Sequence, residues 1–146
     1  MMNEMDTLAA IRDGFEPLFR TSPFLDVTGP YFYKKLESGF MVGIEIAEKH
    51  GNASGTAHGG LIATLADVSI GYVTAFSQVP ALRMTTANLS IDYVGSARVG
   101  EWLESRVTIQ KVGRKLAFAS AEIWTEQRLV AAASAIFSVL EEAKHG

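Results

Sequence analysis

The chain has 146 residues, 48% hydrophobic and 20% charged, enough for one domain that holds its core without disulfides or metals. It has no cysteine, which excludes a disulfide framework, a thiolate metal centre and a cysteine nucleophile. Thirteen Lys plus Arg against sixteen Asp plus Glu give a net charge of −3, so no nucleic-acid partner is expected and an anionic ligand needs a local basic cluster.

The N-terminus, MMNEMDTLAA, is acidic where an export signal is basic, and the longest uncharged stretches carry too many polar residues for lipid contact. A soluble cytoplasmic protein without membrane association is expected. Leu8, Ile11, Phe15, Leu18 and Phe19 recur at helical spacing and Ser22-Pro23 reads as a stop, which predicts an N-terminal helix within residues 1–22. Next, Tyr31 to Tyr33 and Phe40 to Ala47 read as strands of a hairpin turning at Glu37-Ser38-Gly39. Lys49 to Ala57 is loop chemistry, rich in Gly, Asn, Ser and Thr.

From His58 to about Ser77 the chain is apolar nearly all the way round, the pattern of a buried helix. Four strand signals follow: Thr85 to Val94, Trp102 to Val112, Lys115 to Thr125 and Leu129 to Val139. Residues 141–146 read as a frayed tail to a single domain spanning 1–146. The order helix, two strands, long helix, four strands predicts an α+β architecture, an antiparallel sheet wrapped around one central helix.

Asp67 is the only formally charged residue between Lys49 and Arg83, and it sits near the middle of that helix. Desolvation disfavours a buried carboxylate and raises its pKa unless donors offset the cost, so Asp67 is a candidate general base or nucleophile; the competing reading is a hydrogen-bonded structural Asp. His58-Gly59-Gly60 opens the same helix. Its first amides have no intrahelical acceptor, and two glycines leave them open to a carbonyl oxygen on which charge develops. The plainer reading is a sharp loop-to-helix turn beside a packed histidine.

His58 and Asp67 are nine residues apart, which on a helix means opposite faces and about 13 Å along the axis. Both can serve one site only if two copies of the helix lie antiparallel across a two-fold axis, which predicts a dimer with two composite sites.

The pattern Asn52, His58-Gly59-Gly60 and Asp67, with Asp92-Tyr93-Val94, Arg98, Gly100-Glu101 and Lys111 to Arg114, resembles the hotdog-fold acyl-CoA thioesterases, specifically their PaaI-like branch. The resemblance implies hydrolysis of an acyl-CoA substrate to a free acid and CoA. It implies that the Gly60 amide polarises the thioester carbonyl and that Asn52 helps orient water or the carbonyl. Asp67 of the partner subunit would then activate water or attack directly. A hydroxyl on the third strand near the acid falls on Thr85 or Thr86, with Thr86 preferred. A homodimer, extending to a homotetramer, is implied too. No cofactor is expected beyond the CoA moiety of the substrate, and no metal, since His50, His58 and His145 have no ligand spacing.

The CoA phosphates need local cations. Arg83, Arg98, Lys111, Arg114 and Lys115 fall at strand ends, and Arg98 and Arg114 flank glycine turns, with Gly59, Thr85 and Gly113 nearby as binding residues. Two rival functions are a non-catalytic acyl-CoA-binding module and a dehydratase, which would keep a His and an acid together.

Overall fold

The computed structural model describes residues 12–140. Its elements in chain order are β1 (Glu16–Pro17), α1 (Pro23–Thr28), β2 (Phe32–Lys35), β3 (Phe40–Glu45), a 3-10 turn (Glu48–His50), α2 (Gly59–Ala75), β4 (Met84–Tyr93), β5 (Trp102–Val112), β6 (Leu116–Thr125) and β7 (Arg128–Val139). All seven strands join one sheet in the order β1-β2-β3-β5-β6-β7-β4, and every pairing is antiparallel. The predicted α+β architecture, a sheet around one long helix, is the one observed.

The connection from β3 to β4 carries α2 across the inner face of the sheet, where it packs against β3 to β7. Leu65, Ala66 and Ile70 are fully buried there, against Val42, Ile44, Leu103, Ile123 and Val130. Truncating Leu65 or Ile70 to Ala should therefore cost about 2–5 kcal/mol. The helix is not enclosed all round. Ala63, Thr64, Asp67, Gly71 and Ala75 stay partly accessible and Gly60 is exposed; they recur every three or four residues and so form one open stripe.

The N-terminal helix is a correction. Its residues 1–11 lie outside the described part, and residues 12–22 form a turn and the two-residue strand β1. Gly14 has φ +80°, a left-handed conformation that no helix contains, and Pro17 has no N–H to give a helical ladder. The apolar residues serve separate contacts: Phe15 packs edge-on to Trp102 at 5.0 Å, and Phe19 packs likewise on Tyr33 at 5.0 Å. Ser22-Pro23 starts a helix where the pattern read a stop. Ser22 Oγ accepts from the Leu25 N–H at 3.3 Å, and Pro23 opens α1, a position where its missing N–H costs nothing. The predicted tail, residues 141–146, also lies outside the described part.

Candidate active site

The loop before α2 is held by main-chain and side-chain bonds. Asn52 accepts at Oδ1 from the Ser54 N–H (2.9 Å) and the Thr56 N–H (3.2 Å), and its Nδ2 donates to Thr56 Oγ1 at 2.8 Å. In the single chain Asn52 is thus the organiser of its own turn. The His58 N–H donates to the His50 carbonyl at 2.8 Å, which ties the start of α2 to the 3-10 turn.

His58 is the N-cap of α2, and its Nδ1 accepts from the Gly60 N–H at 2.8 Å. The ring explains the second glycine: a Cβ at Gly60 would stand 3.0 Å from His58 Nδ1. The amide expected to polarise a carbonyl therefore donates to the imidazole of its own chain. The Gly59 amide, one residue earlier, has no acceptor among the described residues. Tyr93 Oη donates to the Gly59 carbonyl at 2.7 Å and clamps the first turn from β4. In the sequence Tyr93 stands only within the Asp92-Tyr93-Val94 stretch of the resemblance and carries no role of its own, because nothing in the sequence shows that β4 passes the first turn of α2.

Asp67 is half-buried on the open stripe, and its Oδ1 accepts from Thr86 Oγ1 at 2.8 Å. Strand alternation decides between the two threonines. Thr86 meets the helix and lines the grooves on both sides of Asp67, whereas Thr85 lines neither. One groove, of about 460 Å³, runs between α1 and α2 past Phe24, Leu25, Thr64 and Leu89. The other, of about 390 Å³, follows α2 toward its C-terminal end past Tyr72, Phe76, Arg83 and Phe137.

The two arginines expected to share the CoA phosphates are not neighbours within a chain. Arg98 pairs with Thr56 in an isolated bridge, near the start of α2. Its N–H donates to Glu101 Oε1 at 2.6 Å, and Arg128 Nη2 bonds the same carboxylate at 2.9 and 3.0 Å. The Arg98 amide first, and then Arg128, hold the Glu101 carboxyl below its usual range. Arg114 lies in the β5–β6 turn beside Gly113, whose N–H donates to the Leu116 carbonyl at 2.8 Å. These sites lie at opposite ends of β6, a strand of ten residues, which at ~3.3 Å per residue separates them by about 30 Å. Among the described residues no group of three His, Asp or Glu could hold a metal ion, and no helix is long and apolar enough to cross a membrane.

This arrangement, a seven-stranded antiparallel sheet around one helix that carries a carboxylate and a glycine-opened N-terminus, defines a hotdog-fold enzyme. The Thioesterase superfamily model matches residues 54–132. The chain belongs to that superfamily and is a thioester hydrolase. It is 49% identical over 128 residues to PA0474 of Pseudomonas aeruginosa, an esterase by name, covering 87% of this chain and 96% of that one. Mouse acyl-coenzyme A thioesterase 13 is 35% identical over 80 residues, covering 55% of this chain and 56% of its own length. The solved structure of smu.793 from Streptococcus mutans, bound to acetyl CoA, is 26% identical with a TM-score of 0.73, covering 84% of this chain and 95% of that one.

Proposed function

We propose that the protein hydrolyses an acyl-CoA thioester to a free acid and CoA, at a site completed by a second copy of the chain. The observation that carries this reading is the Asp67–Thr86 pair on the open stripe of α2, in phase with the Gly60 amide. A relative named acyl-coenzyme A thioesterase and a structural neighbour that binds acetyl CoA support the choice of substrate.

Gly60 and Asp67 are seven residues apart, close to two full turns, so they share a face about 10 Å apart along the axis. A carboxylate at that distance cannot act on a carbonyl held at Gly60 of its own chain. Two α2 helices packed antiparallel about a two-fold axis near Ala63 and Thr64 bring Asp67 of the partner subunit level with Gly60. The midpoint of positions 60 and 67 falls between those two residues, and Gly60, Ala63, Thr64 and Gly71 are small enough for close approach.

In that site the carbonyl oxygen takes the place of His58 Nδ1 on the Gly60 amide, beside the open Gly59 amide. These donors stabilise the oxygen as it gains charge. Asp67, oriented by Thr86, takes a proton from water as the water oxygen attacks the carbonyl carbon. Collapse breaks the C–S bond, and the sulfur leaves to be protonated as the CoA thiol; direct attack by Asp67 followed by hydrolysis of the anhydride gives the same products. Arg98, beside the Thr56 bridge, lies toward the Gly60 end, and Arg114, at the other end of β6, reaches the same ligand only from another subunit. A homotetramer would bring such a pair together.

Asp67→Asn is the direct test. Turnover of acetyl-CoA and longer acyl-CoA thioesters should fall at least ~10²-fold in kcat while the melting temperature is kept or raised. An active variant that melts far lower would make Asp67 structural and overturn the reading.

A further inference from the structure

The 390 Å³ groove beside α2 has Asp67 and Thr86 at one end. Val68, Tyr72, Phe76, Met84, Phe137 and Leu140 line its length, a surface of methyl, methylene and aromatic groups. Two cations also line it, Arg20 and Arg83. Main-chain bonds place Arg83, and the packing of its neighbour Phe19 places Arg20, at the end away from Asp67. The Leu82 N–H, next to Arg83, donates to the Ala75 carbonyl at 3.0 Å, and the Leu140 N–H donates to the Arg83 carbonyl at 2.8 Å. Phe19, next to Arg20, packs edge-on to Phe76 at 4.9 Å. Ala75 is eight residues beyond Asp67, about 12 Å along the helix. Among the described residues the sole ion pair is Glu101 with Arg128, so neither guanidinium is spent on a carboxylate there.

We infer that Arg20 and Arg83 form the anion-binding end of the substrate groove and hold a negatively charged group of the thioester about two helical turns from its reacting carbon. The inference rests on Asp67 marking the reaction centre. A groove with one carboxylate at its head and, among the described residues, two cations without a carboxylate partner at its foot selects a ligand by charge as well as by length. A carboxylate at the far end of the acyl chain or the phosphates of CoA can supply the charge. The apolar lining favours the acyl chain, because it offers methylene groups a dry surface and offers the amides of a pantetheine arm few partners.

The test compares four thioesters on the wild type and on the Arg20→Gln/Arg83→Gln double variant. An ω-carboxyacyl chain and a neutral chain of equal length are each presented on CoA and on N-acetylcysteamine, which lacks phosphates. The wild type should prefer the ω-carboxyacyl chain about fivefold to tenfold in kcat/KM on both carriers, and the double variant should lose that preference. If the variant instead removes a preference for CoA over N-acetylcysteamine, the anion site stands and the phosphates occupy it. A double variant with both ratios unchanged overturns the inference while leaving hydrolysis itself in place. If the wild type cleaves none of the four, the proposed function fails, and calorimetric binding of the same compounds reads the same ratios without turnover. Charge reversal at Arg83→Glu should invert the ratio that the neutral substitutions abolish.

Discussion

Asp67 and Thr86 come from different elements, nineteen residues apart, and meet through a 2.8 Å hydrogen bond. The hydroxyl holds Oδ1 of Asp67, so if Asp67 is the base of the proposed site, Thr86→Val should lower kcat about tenfold with little change in KM, and Thr86→Ser should restore most of the loss. Equal kcat for Val and wild type would remove Thr86 from the site. His50 acts through stability instead. Buried behind the loop, it accepts the Ala47 N–H at Nδ1 (2.8 Å) and donates from Nε2 to the Thr28 carbonyl (2.5 Å). Burial first, helped by the charge of Lys49, outweighs the Thr28 bond and holds this imidazole below its usual range. The folded chain therefore favours the neutral ring. That contribution is complete above about pH 6.5 and is lost as pH falls through the lower folded value. The melting temperature should drop from pH 7 toward pH 5, and His50→Gln should melt lower at pH 7 with a shallower acid slope. Parallel slopes would place the acid sensitivity elsewhere. Asp67 was legible in the sequence because a lone charge in an apolar helix is conspicuous. The choice of Thr86 over Thr85 is a matter of strand phase that only the fold resolves, and Arg20 was hidden inside a predicted helix.

At the scale of elements, α2 joins burial and chemistry. Its extent was legible within about two residues at each end, from the His58-Gly59-Gly60 start to the break before Gln78. Its exposure was not, because an apolar stripe of small residues reads as core in one copy of the chain whether the protein or a second copy covers it. Thr64→Arg tests that stripe. The side chain projects from the face proposed to meet the second helix, away from the core, so the fold should survive. Sedimentation should show the mass falling to a single chain, and turnover should fall at least ~10²-fold, because each Asp67 loses its Gly60 counterpart. A variant that keeps both its mass and its activity would rule out this helix pairing. The N-terminal segment misled for a converse reason: its apolar spacing suits a helix, but Gly14 and Pro17 break the backbone and each apolar residue anchors to a different neighbour.

For the whole molecule, the strand order puts β4 at one edge of the sheet and the open stripe of α2 beside it. Every residue of β4 is exposed or half-exposed in the single chain, although the strand is ten residues long and its unpaired edge invites another strand. One surface thus combines a free strand edge, a small-residue helix face, the Asp67–Thr86 pair and the glycine-opened helix start. That combination supports the proposal that each site is divided between two copies. Mixing two damaged chains measures it most directly. Asn52→Ala spoils the loop side of a site and Asp67→Ala its carboxylate, and each homodimer should be weak. Refolded together at equal concentration, random pairing yields about half heterodimer by symmetry counting, each with one doubly damaged site and one intact site. Acyl-CoA turnover should recover to about a quarter of the wild-type level. No recovery, with heterodimers confirmed by native mass spectrometry, would mean that Asp67 acts within its own chain and would contradict the shared site.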